Sequence, residues 1–417
     1  MQREEKLGKL LVFCHRTSIL DQWHQAADRL GLNLCEWEAT SDQNDTPIEA
    51  DGWLVSYQGA SRNLQALEKD LEQWRGSHLL AIADEAHHLG MDPDEPEGLA
   101  WGRTFLELTK SCRLRIGLTG TPFRADNLGF CAARKAIVKK DGVLMEQISP
   151  DLCVEPRDLI AAGDVRPLAF HFQDGWVEHS AEGQPDRDVS PLSAEQRESW
   201  RARNLRRAVG ISGPGSIGGH VLKKARSQLK KLRRLNPNAA GLVIAKDIEH
   251  AEEISLYLER KGEIVDLVHS QDSKAGQRLS DFQTGKAGWL VSIDMCSEGF
   301  DAPRLRVVVY LTTVVTRSRF IQGITRAVRI SNEQAEEEEV PRQASHVFAP
   351  ADPRLMEYAK SWSWAEPYVI RSNVDSNSND LSLGSYRGTS LPLEAVNDGA
   401  GEIIKLRTPE LPRFLQR

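Results

Sequence analysis

The sequence predicts an α/β protein built from two parallel-sheet domains. Three observations predict it. Short apolar runs recur along the chain, and most are followed by a polar turn and a helical pattern, the order expected of strands covered on both faces. One such run, Leu79 to Ala83, leads directly into Asp84-Glu85-Ala86-His87, and acidic residues at a strand's carboxyl end lie where open α/β sheets bind ligands. A second series of strand and helix patterns begins at Ala239, and 417 residues suffice for two or three separate cores.

Bulk composition narrows the class without naming a partner. The formal charge is −7 and 27% of residues are charged, so net charge announces no nucleic-acid partner and any basic surface must be local. The N-terminus, Met1-Gln-Arg-Glu-Glu-Lys6, is charged with no apolar stretch behind it, and no run approaches membrane-spanning length. The six cysteines, Cys14, Cys35, Cys112, Cys131, Cys153 and Cys296, form no Cys-x-x-Cys pair. That spacing argues against a zinc ribbon or a disulfide framework and fits a reducing cytoplasm without membrane contact.

Along the chain, Leu10–Cys14 is the first buried-strand pattern. Thr17 or Ser18 can cap the helix behind it, whose apolar positions include Ile19, Leu20, Trp23 and Ala27. Gly52 to Gln58 is a short strand ending in Ser-Tyr-Gln, and Leu64 to Trp74 an amphipathic helix. Leu114–Leu118 is a strand that ends in Thr119-Gly-Thr-Pro122, where two hydroxyls around a glycine permit close approach to the acidic loop. The spacing then predicts a helix over 151–163 ending in a glycine, followed by Arg166-Pro167, and a polar surface loop over 175–191. Residues 202–234 are helical at both ends and broken by the glycine-rich stretch 210–219. The second half carries Lys223, Lys224, Arg226, Lys230, Lys231, Arg233 and Arg234 with no acid, and two readings stay open: contact with a phosphate backbone, or a solvated face with Leu222, Leu229 and Leu232 turned inward.

In the second series, Gly241–Ala245, Ile264–Val268, Gly288–Ile293 and Arg306–Leu311 are strands, and 247–260 is a helix with Ile248, Ala251, Ile254, Leu256 and Leu258 among its apolar positions. The strand at 288–293 leads into Asp294-Met-Cys-Ser-Glu298-Gly299-Phe-Asp301. Residues 319–329 are expected on one helix, with Arg326 and Arg329 three apart and so on a shared face, where two guanidiniums could straddle a transferring phosphate.

Taken in order, these blocks resemble superfamily 2 DEAD/DEAH-box helicases of the type III restriction-subunit-like branch. His15–Trp23 looks like motif Ia, Asp84-Glu85-Ala86-His87 like the Walker B box, and Thr119-Gly-Thr-Pro122 like motif III. Residues 294–303 look like motif V, and Gln322-Gly-Ile-Thr-Arg326-Ala-Val-Arg329 is similar to motif VI, with Thr325 at the motif's glycine position. The resemblance covers roughly residues 10–350 and implies two RecA-like domains with parallel sheets facing across a cleft, the first N-terminally incomplete.

The division it implies is 1–150 for the first domain, 151–203 for a connecting segment, 204–370 for the second domain and 371–417 for a flexible tail, with an edge strand at 401–406. It also implies ATP and Mg²⁺ as cofactors and a nucleic-acid partner, DNA rather than RNA. Asp84 would hold Mg²⁺, Glu85 would orient the attacking water, and Arg326 and Arg329 would reach the γ-phosphate. His87, Gln322, Gly299, Asp301, Thr119 and Thr121 would couple nucleotide state to movement, while Arg16, Thr17, Gln22, Lys223 and Lys224 are the candidate nucleic-acid contacts.

One part of the pattern is missing. No Gly-x-x-x-x-Gly-Lys-[Ser/Thr], the Walker A loop whose backbone cradles phosphates, precedes the first strand; Gly213-Pro-Gly-Ser-Ile-Gly218 continues with Gly219-His220 instead of Lys-Ser/Thr. The expectation is a helicase or translocase core lacking that segment. The alternatives are an ATP-independent nucleic-acid- or partner-binding scaffold and the translocase subunit of a restriction system.

Overall fold

The computed structural model describes residues 8–15, 17–39, 50–74, 77–89, 96–120, 130–133, 135–140, 143–148, 150–179, 188–213, 215–269, 271–285, 287–293, 300–362, 369–370 and 403–407. They fall into two compact units, one formed mainly by residues up to Cys153 and the other mainly by Val154–Glu366.

The first unit is a five-stranded parallel sheet. Its strands are β1 (Lys9–Cys14), β2 (Leu34–Glu36), β3 (Gly52–Ser56), β4 (Leu79–Asp84) and β5 (Leu114–Leu118), in the order β2-β3-β1-β4-β5. Alternation along each strand sends side chains to two cores. Leu11 and Phe13 of β1 face one way and pack with α2 (Tyr57–Arg62), α3 (Leu64–Leu71) and α4 (Pro96–Leu108). Val12 and Cys14 face the other way and pack with Ile19, Leu20 and Ala27 of α1 (Thr17–Arg29). Trp53 on β3 is fully buried. β5 lies at the edge of this sheet, with Leu114 and Leu118 each 41% exposed. A separate antiparallel pair, β6 (Lys135–Lys140) and β7 (Val143–Ile148), completes the described part of residues up to Cys153.

The second unit opens with α5 (Pro156–Ala162). Pro156 stands in its first turn and Gly163, at φ +80°, closes it. The helix is shorter than the expected 151–163 because proline's fixed φ and missing N–H suit it to a first turn. Then come β8 (Leu168–His179), β9 (Asp188–Pro191), α6 (Glu198–Ala208), α7 (Ile217–Leu232), β10 (Ala240–Ala245), α8 (Ile248–Arg260), β11 (Val265–Val268), α9 (Ala275–Thr284), β12 (Trp289–Ser292), β13 (Leu305–Leu311), α10 (Arg317–Ile324), α11 (Asn332–Glu337), β14 (Ser345–Pro350) and α12 (Pro353–Trp362). β16 (Ile403–Arg407) pairs with β8 in this unit, whereas β15 (Val369–Ile370) belongs to the first unit and pairs there with β7.

The large sheet runs β11-β12-β10-β13-β14-β8-β16, parallel from β11 to β8. Its central strands β10 and β13 are buried at every residue. Helices α6, α7 and α8 cover one face through Leu205, Val221, Leu222, Leu229 and Ile254. Helices α9, α10 and α12 cover the other through Phe282, Phe320, Ile324 and Leu355. Of the expected loop at 175–191, residues 175–179 are instead the end of β8 and 188–191 the returning β9, which pair antiparallel, while 180–187 lie outside the described residues. Polar residues there stay in a strand because β9 and β16 satisfy its backbone. The edge strand expected at 401–406 is β16. On α8, Leu256 departs from its expected core position and is 47% exposed.

The glycine-rich break between α6 and α7 has a steric cause. A Cβ on Gly218 would come within 2.5 Å of the Val209 carbonyl oxygen and 2.6 Å of that of Gly210. Only a residue without a side chain lets the start of α7 approach the end of α6 this closely. Among the described residues, no helix is long and apolar enough to cross a membrane.

Candidate functional site

The acidic loop at the end of β4 is built by backbone strain and by two aromatic side chains. Asp84 is the last residue of β4, and Glu85 then adopts the left-handed region at φ +48°, ψ +50°. It is the only described non-glycine residue with positive φ. That conformation costs a side-chain-bearing residue about 1–2 kcal/mol and is retained where its surroundings impose it, often at functional positions. A single 3₁₀ turn, Ala86–His88, follows, so Asp84 does not cap an α-helix in the described chain.

Asp84 is held on three sides. Trp23 of α1 donates its Nε1–H to Oδ2 at 2.7 Å, and the Glu85 amide donates to Oδ1 at 2.9 Å. The Tyr57 hydroxyl donates to the Asp84 carbonyl at 2.6 Å. Beneath the loop, burial pushes the Cys14 thiol far above its usual range, with the Asp84 charge adding to the effect. The Tyr57 phenol is raised in the same way by burial first, then by Cys14 and Asp84. Both groups therefore remain neutral, and neither is an activated nucleophile.

His87 joins this loop to the next strand. It is 6% exposed, and its Nδ1 lies 3.0 Å from Thr119 Oγ1, just past β5, and 3.4 Å from Glu85 Oε2. A hydroxyl can donate or accept, so the contact survives in either imidazole tautomer. The Asp-Glu-Ala-His and Thr-Gly-Thr blocks, 32 residues apart in sequence, thus share a hydrogen bond. Thr121 lies outside the described residues.

The second unit gathers another set. Gln322 is buried on α10. The helix stops at Ile324, and Thr325–Ala327 form a 3₁₀ turn. This corrects the expectation of one helix through Arg329 with two arginines on a common face, because the tighter turn changes their relative direction. Arg326 is 6% exposed and donates from Nη1 to the Phe300 carbonyl at 2.7 Å. Arg329, beyond the turn, has a side chain 39% exposed and pairs with Asp301 at 3.1 Å. Both arginines therefore clasp the segment after β12, one from inside and one from its surface. Gly299 lies outside the described residues.

The candidate nucleic-acid contacts are only partly placed. Gln22 is exposed on α1, whereas Arg16 and the Thr17 side chain lie outside the described residues. Lys223 and Lys224 are exposed on α7, and the Lys224 amine donates to Gln173 at 2.7 Å. Sequence reasoning missed Trp23 and Tyr57 as partners of Asp84. The available signal was a Trp and a Tyr close behind neighbouring strands, each with a polar atom that seeks a partner when buried.

Comparison with known proteins places these residues in a family. The family model described as type III restriction enzyme, res subunit, matches residues 1–124, and that of the helicase conserved C-terminal domain matches 224–331. An uncharacterized protein of Mycobacterium leprae (strain TN) is 30% identical over 377 residues, covering 89% of this chain and 59% of its own length. One of Mycobacterium tuberculosis (strain ATCC 25618 / H37Rv) is 31% identical over 356 residues, covering 84% and 54%. The chain thus spans a little over half the length of these curated relatives. A solved fragment of a type I restriction enzyme subunit from Vibrio vulnificus YJ016 is similar at 18% identity and a TM-score of 0.48, over 86% of this chain and 62% of that one.

Proposed function

We propose that this chain, which belongs to the superfamily 2 helicases in their type III restriction-subunit-like branch, is the core of an ATP-dependent DNA translocase or helicase. In this reading its phosphate-binding loop comes from sequence outside the 417 residues. The observation that carries the reading is the strained Asp84-Glu85 loop, tied through His87 to Thr119. One feature supports this reading: among the described residues β5 is the outer strand of its sheet, and Leu114 and Leu118 are exposed in a sheet type that is normally covered.

The residues fit a Mg²⁺-bound nucleotide. A carboxylate has about four acceptor sites, and the described contacts use one on each Asp84 oxygen, which leaves capacity for the water shell of a hydrated cation. ATP, when bound, supplies the phosphoanhydride whose cleavage drives movement. Asp84 would hold the cation's waters, with Trp23 fixing the carboxylate's orientation. Glu85, beside His87, would align the attacking water and accept its proton. His87 and Thr119 would pass the state of that loop to β5.

Arg329 would neutralise charge on the transferring phosphate after exchanging its Asp301 partner. Arg326 would contribute with a nitrogen other than the one on Phe300 while keeping the Phe300 segment in place. Gln322, Asp301, Gly299 and Thr121 keep the coupling roles implied by the motifs, and Arg16, Thr17 and Gln22 remain contacts for the nucleic-acid backbone. DNA is favoured over RNA by the restriction-subunit family match.

A second reading, an ATP-independent scaffold, is favoured by one observation: the 417 residues contain no Walker A sequence. The test is nucleic-acid-stimulated ATP hydrolysis by this chain and by a form extended upstream, each with duplex DNA and with RNA. DNA-stimulated activity in the extended form supports the motor. Nucleic-acid binding that ignores ATP in both forms supports the scaffold.

A further inference from the structure

The strongest local charge in this acidic chain lies in the helix pair α6–α7. Residues 197–234 hold twelve Lys and Arg against one acid, Glu198. Nine of these cations fall into two groups. Arg197 pairs with Glu195, and Arg201 with Glu198 and Asp352. Arg226 and Arg233 both pair with Glu263, and Lys224 bonds Gln173. The second group, Lys223, Lys230, Lys231 and Arg234, is exposed, and no carboxylate among the described residues pairs with it.

These four follow one side of α7. Lys223 and Lys230 are seven residues apart and so nearly eclipsed, Lys231 is beside Lys230, and Arg234 lies in the turn that closes the helix. From Lys223 to Lys231 the stripe is about 12 Å long. Val221, Leu222, Ala225 and Leu229 occupy the other side and pack on the sheet. The helix dipole accounts for cations in the last turn, but it favours no cation at Lys223, well before the C-terminus. An ordinary solvated helix mixes charge signs. From Ile217 to Leu232, α7 carries five cations and no acid.

We propose that Lys223, Lys230, Lys231 and Arg234 form a track for the phosphodiester backbone of duplex DNA, on the sheet face opposite α10 and the Arg326 turn. This rests on the nucleic-acid reading above and changes its details: Lys224, already engaged by Gln173, is not part of the track. The contacts are to phosphates, so binding is independent of base sequence and strongly dependent on salt.

The test uses the full chain, without nucleotide, and a fluorescent duplex of about 30 base pairs titrated between about 50 and 200 mM salt. The fourfold variant Lys223→Ala, Lys230→Ala, Lys231→Ala, Arg234→Ala is compared with the parent and with Lys224→Ala. Thermal unfolding checks that each variant is folded. Each phosphate contact is worth roughly 8-fold in affinity at 0.1 M salt through counterion release. Loss of two or more contacts therefore predicts a fall of at least about 50-fold and a log–log salt slope shallower by about 2 to 4, with Lys224→Ala close to the parent. A parent that binds while the fourfold variant matches it in affinity and slope overturns the track and leaves the nucleic-acid reading standing. A parent that binds neither duplex nor single strands overturns both. Equal competition by polyglutamate of matched charge overturns the track in favour of an acidic protein partner.

Discussion

Replacing Trp23 by Phe tests how the acidic loop is held. The change keeps most of the ring's packing against the core that includes Val12, Ile19 and Leu20 but removes the Nε1–H that lies 2.7 Å from Asp84 Oδ2. A hydrogen bond to a charged group contributes about 1.5–3 kcal/mol. Asp84 is only partly buried and water can replace the donor, so the expected loss falls at or below the lower end of that range, about 1–1.5 kcal/mol. The assay is chemical denaturation followed by probes in the first unit, in a double-mutant cycle with Asp84→Ala. The cycle separates the pair's own energy from lost ring packing, which both Trp23 variants share. A coupling energy near 1 kcal/mol is expected. Additive effects, within about 0.3 kcal/mol, would refute the claim that Trp23 orients the carboxylate.

Two further predictions concern the second unit. Arg326→Gln strips a buried donor from the Phe300 carbonyl and should destabilise that unit by about 1–3 kcal/mol. Arg329→Gln, at a half-exposed pair, should change stability by less than about 0.5 kcal/mol yet remove ATP turnover in an active, extended form. Equal destabilisation by the two variants in denaturation curves would contradict this division of labour. The last prediction is a pH dependence. Burial, assisted by Lys246, lowers His250 from 6.5 to about 4, and burial with His171 lowers His346 similarly to about 4. Because the folded-state values lie below the unfolded one, the unfolded chain binds more protons between them. Stability should be fully present above about pH 6.5 and fall as pH drops toward 4, by on the order of 3 kcal/mol for the buried His250 alone. Melting curves of His250→Gln between pH 7 and 4.5 should show a flatter decline; an unchanged slope would exclude His250 as its source.

Much of the fold was legible because its strands are apolar runs with no competing period. Leu79–Asp84 and Leu305–Leu311 could be little else than interior strands. The break between α6 and α7 was legible in its glycines, although only the structure shows that Gly218 admits the Val209 and Gly210 carbonyls. The β8–β9 hairpin was hidden because long-range pairing, rather than an apolar pattern, keeps its polar residues extended. The candidate site was legible as ordered blocks but not as geometry. Nothing local announces the left-handed Glu85, which stands between Asp84, held by Trp23 of α1 and Tyr57 of α2, and His87, bonded to Thr119. The helix expected through Arg329 failed for a comparable reason, because spacing alone does not distinguish an α turn from the 3₁₀ turn at Thr325–Ala327.

The most direct test of the central claim is single-turnover and steady-state ATP hydrolysis by Glu85→Gln in the upstream-extended form, with duplex DNA present. The account predicts that the variant still binds ATP while DNA-stimulated turnover falls by about 10² or more, because the water loses its aligning carboxylate. Hydrolysis at the parent's rate would contradict the assignment of Glu85 and, with it, the reading of the β4 loop as a catalytic site.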